Sequence, residues 1–175
     1  MEAMRKNAMN YGLFLGLTSI VLTTLMYAID INLFTSSWIG AVNFVIVTGF
    51  GAFAAVKYKK STGGFISFKE AFTCFFITIV VGLFLSTLYT ILLLNYIDPE
   101  AKTIISENVI KYTVEMMQKF GGKAADMNKM VEEMQKTDSF GPAGQLKGFA
   151  FGLIIYCIVG LVTALILKRE RPQSI

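Results

Sequence analysis

Two long apolar runs are separated by the basic stretch Tyr58-Lys59-Lys60-Ser61-Thr62-Gly63-Gly64-Phe65-Ile66-Ser67-Phe68-Lys69-Glu70-Ala71-Phe72. Ser67 and Glu70 have the spacing of a capping box, in which each side chain binds a free backbone N–H at the start of a helix. The paired glycines before them supply a turn, because glycine tolerates positive φ. The stretch therefore predicts a basic loop that leads into a helix beginning near Phe68.

Apolar runs dominate the chain, which has 175 residues, 54% of them hydrophobic and 16% charged. Four runs cover residues 11–29, 38–56, 71–96 and 146–167. Each is close to the ~20 residues that a helix needs to cross ~30 Å of hydrocarbon. The sequence therefore predicts an all-α, polytopic membrane protein with four transmembrane helices in a single domain that covers the whole chain.

Residues 98–145 form a charged insert between the third and fourth runs. Asp98 is a good helix N-cap and Pro99 is tolerated at the first helical position. Apolar residues at helical spacing then predict one amphipathic helix to Phe120 and a second from about Ala124 to Lys136. Such helices must bury their apolar side on the bilayer, on the bundle or on a partner. The candidate partner face comprises Tyr112, Met116, Phe120, Met127, Met130 and Met134.

Lysine and arginine are unevenly distributed around the runs. Two precede the first run, none lies between the first and second, four lie within residues 57–69 and three follow the fourth run. Because basic residues favour the cytoplasmic side of a membrane, we expect both termini and residues 57–69 to be cytoplasmic. The insert would then lie on the opposite, periplasmic side of a bacterial inner membrane.

The basic residues of the 57–69 stretch are also candidate contacts for anionic lipid headgroups. They are Lys57, Lys59, Lys60 and Lys69. The formal net charge of +4 does not indicate nucleic-acid binding, because basic residues cluster at the ends of apolar runs and do not follow one helix face. We therefore expect membrane lipids as partners, together with a membrane-protein partner or a second copy of the chain, and no nucleic acid.

The sequence lacks the residues that several common kinds of catalytic and metal site require. It has no histidine, which removes histidine acid–base catalysis and the commonest zinc ligand. Cys74 and Cys157 lie within apolar runs, where they are expected to act as small buried hydrophobes. The methionines of the insert have no histidine or cysteine beside them to complete a copper site. We expect no cofactor or metal, and no catalytic set of residues indicates an enzyme.

Small and polar residues within the runs are candidates for helix packing. Gly12 and Gly16 form one G-x-x-x-G, and Gly148 and Gly152 form another. In the expected topology the first pair lies near the cytoplasmic side of the membrane and the second near the opposite side, so they cannot pack against each other. Asn43 is expected to form a hydrogen bond between helices.

Two functions remain open from the residues. The first is a non-enzymatic scaffold or accessory subunit of a membrane assembly, which uses the amphipathic helices to bind a partner. The alternative is a small transporter or channel for a lipid-linked or uncharged solute. Its lining would comprise Thr73, Thr78, Ser86, Thr87 and Thr90. No charged side chain lies deep in a run, which counts against an ion-coupled transporter.

The stretch from Gly63 to Phe72, together with four runs and a polar insert before the last, resembles domain-of-unknown-function family 4199 of bacterial membrane proteins. The resemblance implies four spans and a bacterial inner membrane, and it brings no assigned reaction. Gene neighbourhoods of that family add a third possibility, an enzyme subunit that acts on a polyprenyl-linked sugar beside a catalytic partner.

Overall fold

The computed structural model describes residues 1–121 and 123–169. These residues form six α-helices: α1 (Glu2–Ile29), α2 (Ser37–Ser61), α3 (Phe68–Leu92), α4 (Pro99–Lys119), α5 (Ala124–Lys136) and α6 (Pro142–Leu167). A 3-10 helix, Ile31–Thr35, links α1 to α2, and a π-helical turn, Leu93–Ile97, extends α3. The described residues contain no β-strand. The expected all-α class is therefore confirmed.

Four of these helices are long and apolar enough to cross a membrane. They are α1, α2, α3 with its π-helical turn, and α6, which contain 28, 25, 30 and 26 residues. At ~1.5 Å per residue each exceeds ~30 Å of hydrocarbon. Large apolar side chains on their outer surfaces, such as Phe14, Val45 and Ile166, are exposed, as a lipid environment requires. Helices long and apolar enough for the four predicted spans are present, and α1 and α6 begin before the corresponding apolar runs, at Glu2 and Pro142.

The buried residues form three layers along this bundle. One layer contains Met4, Tyr58 and Ile66, and we call that end of the bundle the lysine end. A middle layer is built around Phe75 of α3. The third lies where Ile31–Thr35 joins α1 to α2, and we call it the link end. The start of α1 and the end of α6 therefore lie at the same end of the bundle.

Helix α3 is the central element, and its closest neighbour is α1. A Cβ added to Gly12 or Gly16 would lie 2.7 Å from side-chain atoms of α3, and one added to Gly82 would lie 2.5 Å from Leu15 of α1. The three glycines therefore allow a close approach of the two helix backbones. The hydroxyl of Thr78 lies within hydrogen-bonding distance of the Ala8 carbonyl, at 3.1 Å, which adds a polar contact between the same helices.

Helix α3 begins at the predicted residue, and α2 extends beyond its apolar run. Ser67 Oγ accepts the Glu70 N–H at 3.3 Å and Glu70 Oε2 accepts the Ser67 N–H at 2.9 Å, so the capping box is confirmed. Helix α2 continues to Ser61, beyond the apolar run that ends at residue 56. Its last turns hold three of the four lysines of the basic stretch: Lys57, Lys59 and Lys60. Cations are favoured there by the helix dipole.

The lysine end is also joined to the end of α6. Lys59 Nζ donates a hydrogen bond to the Leu167 carbonyl at 2.8 Å. Ile66 and Arg169 exchange backbone hydrogen bonds of 2.9 and 2.8 Å in a single β-bridge. The first contact satisfies a carbonyl that the end of α6 leaves without an intrahelical partner, and the second pairs two backbone segments that lie outside the helices.

At the link end, α4 lies against the bundle. Asp98 caps α4 through a 3.0 Å hydrogen bond that its Oδ1 accepts from the Ala101 N–H, and Pro99 follows at the first position, as predicted. Ala101 and Ile105 are buried against the π-helical turn. The first half of α4 is therefore part of the folded core.

Helix α5 has the predicted limits, Ala124–Lys136, and a different environment from α4. None of its residues is buried. Before it, α4 ends at Lys119 and the chain turns through Gly121, whose φ of +74° favours glycine. The insert therefore has an anchored half and an exposed half.

Candidate functional site

A cleft of about 410 Å³ opens between α1, α2 and α3 in the half of the bundle nearer the link end. Trp38 and Phe34 lie at its outer end, beside the link between α1 and α2. Its polar lining residues are Ser19, Thr23, Asn43, Ser86 and Thr90, and the remaining lining side chains are apolar or glycine. No charged side chain lines this cleft within the described residues.

Helical spacing places these polar side chains on one surface. Ser19 and Thr23 are four residues apart on α1, and Ser86 and Thr90 are four apart on α3, so each pair shares a helix face. Asn43 lies about two turns into α2 and completes the third wall. Three separate segments of sequence thus bring five polar groups together inside the apolar part of the bundle.

Most of these groups lack a hydrogen-bond partner within the protein. Thr90 donates to the Ser86 carbonyl at 3.0 Å. Within residues 1–121 and 123–169, the side chains of Ser19, Asn43 and Ser86 form no hydrogen bond. Ser19 is only 7% exposed. Uncompensated polar groups are costly in an apolar environment.

A second groove continues along the seam between α1 and α2 toward the lysine end. It has a volume of about 480 Å³ and is mainly apolar. Its lining comprises Tyr11, Phe14, Thr18, Ile46, Gly49, Phe50 and Phe53. The Thr18 hydroxyl donates to the Phe14 carbonyl at 2.8 Å and is therefore satisfied. Ile46 lines both spaces, so the polar cleft and the apolar groove meet there.

The five hydroxyl residues predicted to line a solute path are separated by the structure. Ser86 and Thr90 line the cleft. Thr78 is buried and contacts α1 instead. Thr73 and Thr87 are half-buried and belong to neither lining. The five residues do not form one polar surface.

The candidate packing residues have different environments in the structure. Gly12 and Gly16 contact α3, whereas a Cβ on Gly148 or Gly152 would meet no atom within 4 Å. Asn43 is exposed in the cleft and forms no hydrogen bond to another described residue, so it makes no interhelical hydrogen bond of the kind expected from the sequence. Only the first glycine pair therefore contributes to packing within the described chain.

The four candidate headgroup lysines lie at one end of the bundle in different environments. Lys57 Nζ lies 5.3 Å from the centroid of the Phe53 ring. Lys59 is half-buried and bound to the Leu167 carbonyl. Lys60 and Lys69 are exposed. Lys57, Lys60 and Lys69 can therefore meet a headgroup without breaking a hydrogen bond within the protein.

The candidate partner face is divided between the bundle and the surface. The Tyr112 hydroxyl lies 2.5 Å from the Ser37 hydroxyl, so Tyr112 is directed toward the bundle. Phe120 is 83% exposed and Met130 is 40% exposed. Met116, Met127 and Met134 are half-buried. None of the residues of this face after Tyr112 is fully buried, so none belongs to the core of the bundle.

The sequence marks Ser19 and Thr23 as polar residues of the first run but did not place them in a cleft with α2 and α3. Their spacing of four residues was a usable signal, because it places two hydroxyls on one helix face. It did not identify which neighbouring helix that face meets.

The described residues contain no group of three or more histidine, cysteine, aspartate or glutamate side chains placed to hold a metal ion.

The fold and the cleft define an all-α protein with four helices long and apolar enough to span a membrane and a charged helical insert between the last two of them. The sequence profile of the family described as protein of unknown function (DUF4199) matches residues 10–169, so the chain belongs to that family. No curated protein and no solved structure matches the chain.

Proposed function

We propose that this protein is a non-enzymatic accessory subunit of a membrane assembly and that α5 binds a protein partner outside the membrane. One observation carries the proposal: α5 has no buried residue, yet its apolar side chains lie on one side of the helix. We call this apolar side of α5 the α5 face: Met127, Met130, Val131 and Met134. Methionine adapts its shape to apolar surfaces and is frequent at binding surfaces.

The charges of α5 favour a protein surface over a lipid surface. Asp126, Glu132 and Glu133 oppose Lys129 and Lys136, so the helix carries no excess of positive charge. Helices that bind anionic membranes through their polar side are usually rich in lysine and arginine. An apolar stripe bordered by charges of both signs is instead typical of a protein interface with a polar rim.

The anchoring of α4 supports this role. Ala101 and Ile105 are buried at the link end, and the Asn108 side chain donates to Asn32 Oδ1 at 2.9 Å. Helix α4 therefore holds the start of the exposed segment in a defined place on the bundle. A rigid support of this kind lowers the conformational entropy lost on binding.

The proposed location is a bacterial inner membrane, with both termini in the cytoplasm and the insert in the periplasm. The distribution of lysine and arginine supports this orientation. A partner of α5 would then present an apolar groove on the periplasmic side of the same membrane.

Photocrosslinking tests the partner role. A benzoylphenylalanine at Met130 of the full chain, expressed in its own cells, is expected to capture one protein partner, whereas one at Lys129 on the opposite side of α5 should capture little. The captured protein is then purified and its Kd for the reconstituted chain is measured. We expect Met127→Ser with Met130→Ser to weaken binding by about thirtyfold, as for two interface residues that each contribute ~1 kcal/mol, and Lys129→Ser to leave it unchanged.

Two results would contradict the proposal. The first is crosslinking at Met130 to lipid alone or only to a second copy of the chain. The second is a Kd that the two methionine substitutions leave unchanged.

The cleft favours a second candidate function, passage of an uncharged solute. Ser86 and Thr90 supply part of its polar lining. Reconstituted vesicles should then take up neutral solutes such as glycerol faster than vesicles without protein, and Ser86→Ala should slow the uptake. Equal rates in the two vesicle preparations would reject transport of the solutes tested.

A further inference from the structure

We propose that the cleft and the adjoining groove together bind one uncharged lipid from the leaflet at the link end. A hydroxyl or ester group of this lipid would occupy the cleft, and a hydrocarbon chain would follow the seam between α1 and α2. A diacylglycerol has this chemistry. The proposal names a ligand class for the cleft and does not depend on partner binding by α5, which lies in a different part of the chain.

The first argument is the unpaired polar groups. Ser19 is more than nine-tenths buried, lines the cleft and has no hydrogen-bond partner among the described residues. Three other hydroxyls in the spans, those of Thr18, Thr24 and Thr163, donate to the carbonyl four residues earlier. The Thr48 hydroxyl on α2 is buried and also has no partner among the described residues, but Thr48 does not line the cleft. A ligand oxygen in the cleft would supply the partner that Ser19 lacks.

The Asn43 side chain indicates which polar group of a lipid the cleft can bind. Its carboxamide carries one acceptor and two donors, faces the cleft and forms no hydrogen bond within the described chain. A hydroxyl can donate to the amide oxygen and accept from the amide nitrogen, and an ester carbonyl can accept. Neither requires a counter-charge on the protein.

The lining excludes a charged headgroup. No lysine, arginine, aspartate or glutamate lines the cleft or the groove within the described residues. A phosphate placed there would lose its hydration without gaining an ion pair, which is strongly unfavourable in hydrocarbon. The basic side chains at the lysine end, such as Lys60, lie at the far end of the bundle from the cleft.

The arrangement of the two spaces matches a lipid in a leaflet. The polar cleft reaches the outer end of the bundle beside Trp38, and the apolar groove extends from Ile46 toward Phe53. A lipid bound this way would keep its polar part near the interface and its chain in the hydrocarbon. The volumes, about 410 and 480 Å³, lie in the range of roughly 300–1,000 Å³ typical of small-molecule sites.

Photolabelling of the full chain in vesicles tests this inference. The vesicles contain phosphatidylethanolamine and phosphatidylglycerol, with a trace of a diacylglycerol that carries a diazirine on one acyl chain. Phosphatidylglycerol with the same diazirine chain is the charged comparison probe. We expect the neutral probe to label peptides of α1 and α2 that border the groove more strongly than the charged probe does.

Substitutions in the cleft should reduce this labelling. Asn43→Leu and Ser19→Ala each remove hydrogen-bonding groups and are expected to lower labelling by the neutral probe about three- to fivefold. Thr163→Val is the matched control, since it removes a hydroxyl from α6 away from the cleft. Gel filtration of each variant separates a lost site from a lost fold.

Three results would overturn the inference: equal labelling by the neutral and charged probes, labelling spread evenly over all four spans, or unchanged labelling in both cleft variants. Labelling at the groove without any solute uptake would support the lipid site and reject the transport function. Loss of partner binding in the α5 variants would leave the labelling unaffected.

Discussion

The hydroxyl of Tyr27 donates a hydrogen bond to Asp98 Oδ2 at 2.7 Å and thereby joins the end of α1 to the start of α4. The other carboxylate oxygen of Asp98 accepts the Ala101 N–H. These two hydrogen bonds, with that from Tyr27 the larger cause, hold the pKa of Asp98 below its ordinary value of 3.8. One carboxylate thus caps the insert and attaches it to the bundle.

Protonation of Asp98 is expected to weaken this attachment. Because the pKa is lower in the folded state, the ionised carboxylate contributes stability above its ordinary pKa, and the contribution is lost as pH falls through the lower folded pKa. Asp98→Asn should therefore be less stable than the wild type at neutral pH, and the difference should shrink only in strong acid. Denaturant unfolding in mixed micelles over a pH series measures this. Glu107→Gln, at an exposed carboxyl of α4, is the control, and a difference independent of pH would contradict the assignment.

The close approach of α1 and α3 predicts a steric effect at Gly82. A Cβ there would lie 2.5 Å from Leu15, so Gly82→Ala is expected to destabilise the fold by about 1–3 kcal/mol, as overpacked cores usually do. Gly152→Ala is the matched control, because nothing lies within 4 Å of its added methyl group. Thermal unfolding of both variants in the same detergent compares them. Equal midpoints would show that the helices do not pack this closely.

The contact between Lys59 and Leu167 predicts that adjacent lysines differ in importance. Lys59→Met removes a half-buried cation from the carbonyl end of α6 and should cost about 1 kcal/mol. Lys60→Met changes an exposed side chain and should have little effect on stability. Thermal unfolding gives the comparison, and a larger loss at Lys60 would contradict the structure.

Headgroup binding at the lysine end predicts that its exposed lysines contribute to lipid association. Replacing Lys57, Lys60 and Lys69 by Gln should weaken association with phosphatidylglycerol, by about 1 kcal/mol for each lysine near the surface. Lipid retained after purification in mild detergent, measured by mass spectrometry, reports the change. Lys129→Gln serves as the control, and an unchanged phosphatidylglycerol content would leave these lysines with a role in topology alone.

The proposed orientation predicts which side chains a membrane-impermeant maleimide can reach. In a chain whose Cys74 and Cys157 are replaced by Ala, Lys129→Cys should be labelled on cells with an intact inner membrane and a permeabilised outer membrane. Lys60→Cys should be labelled only after lysis. The reverse pattern would place the insert in the cytoplasm.

Local signals in the sequence were sufficient for the helix starts and the exposed segment. The Ser67–Glu70 capping box, the Asp98–Pro99 start and the limits of α5 all depend on residues within a few positions of one another. Helix ends near charged residues were harder to predict. Hydropathy placed the end of the second apolar run near residue 56, and the lysines that lower hydropathy beyond it remain helical to Ser61.

The sequence by itself determined that this is an all-α protein with four spans and an insert, because run length, capping and charge distribution act locally along the chain. Only the tertiary structure decided that Ser19, Asn43 and Ser86 share a cleft, that Lys59 binds the end of α6, and that Gly12 packs while Gly148 does not. These outcomes depend on which faces of separate helices meet. That choice is made by close packing around α3, whose partners lie far away in sequence.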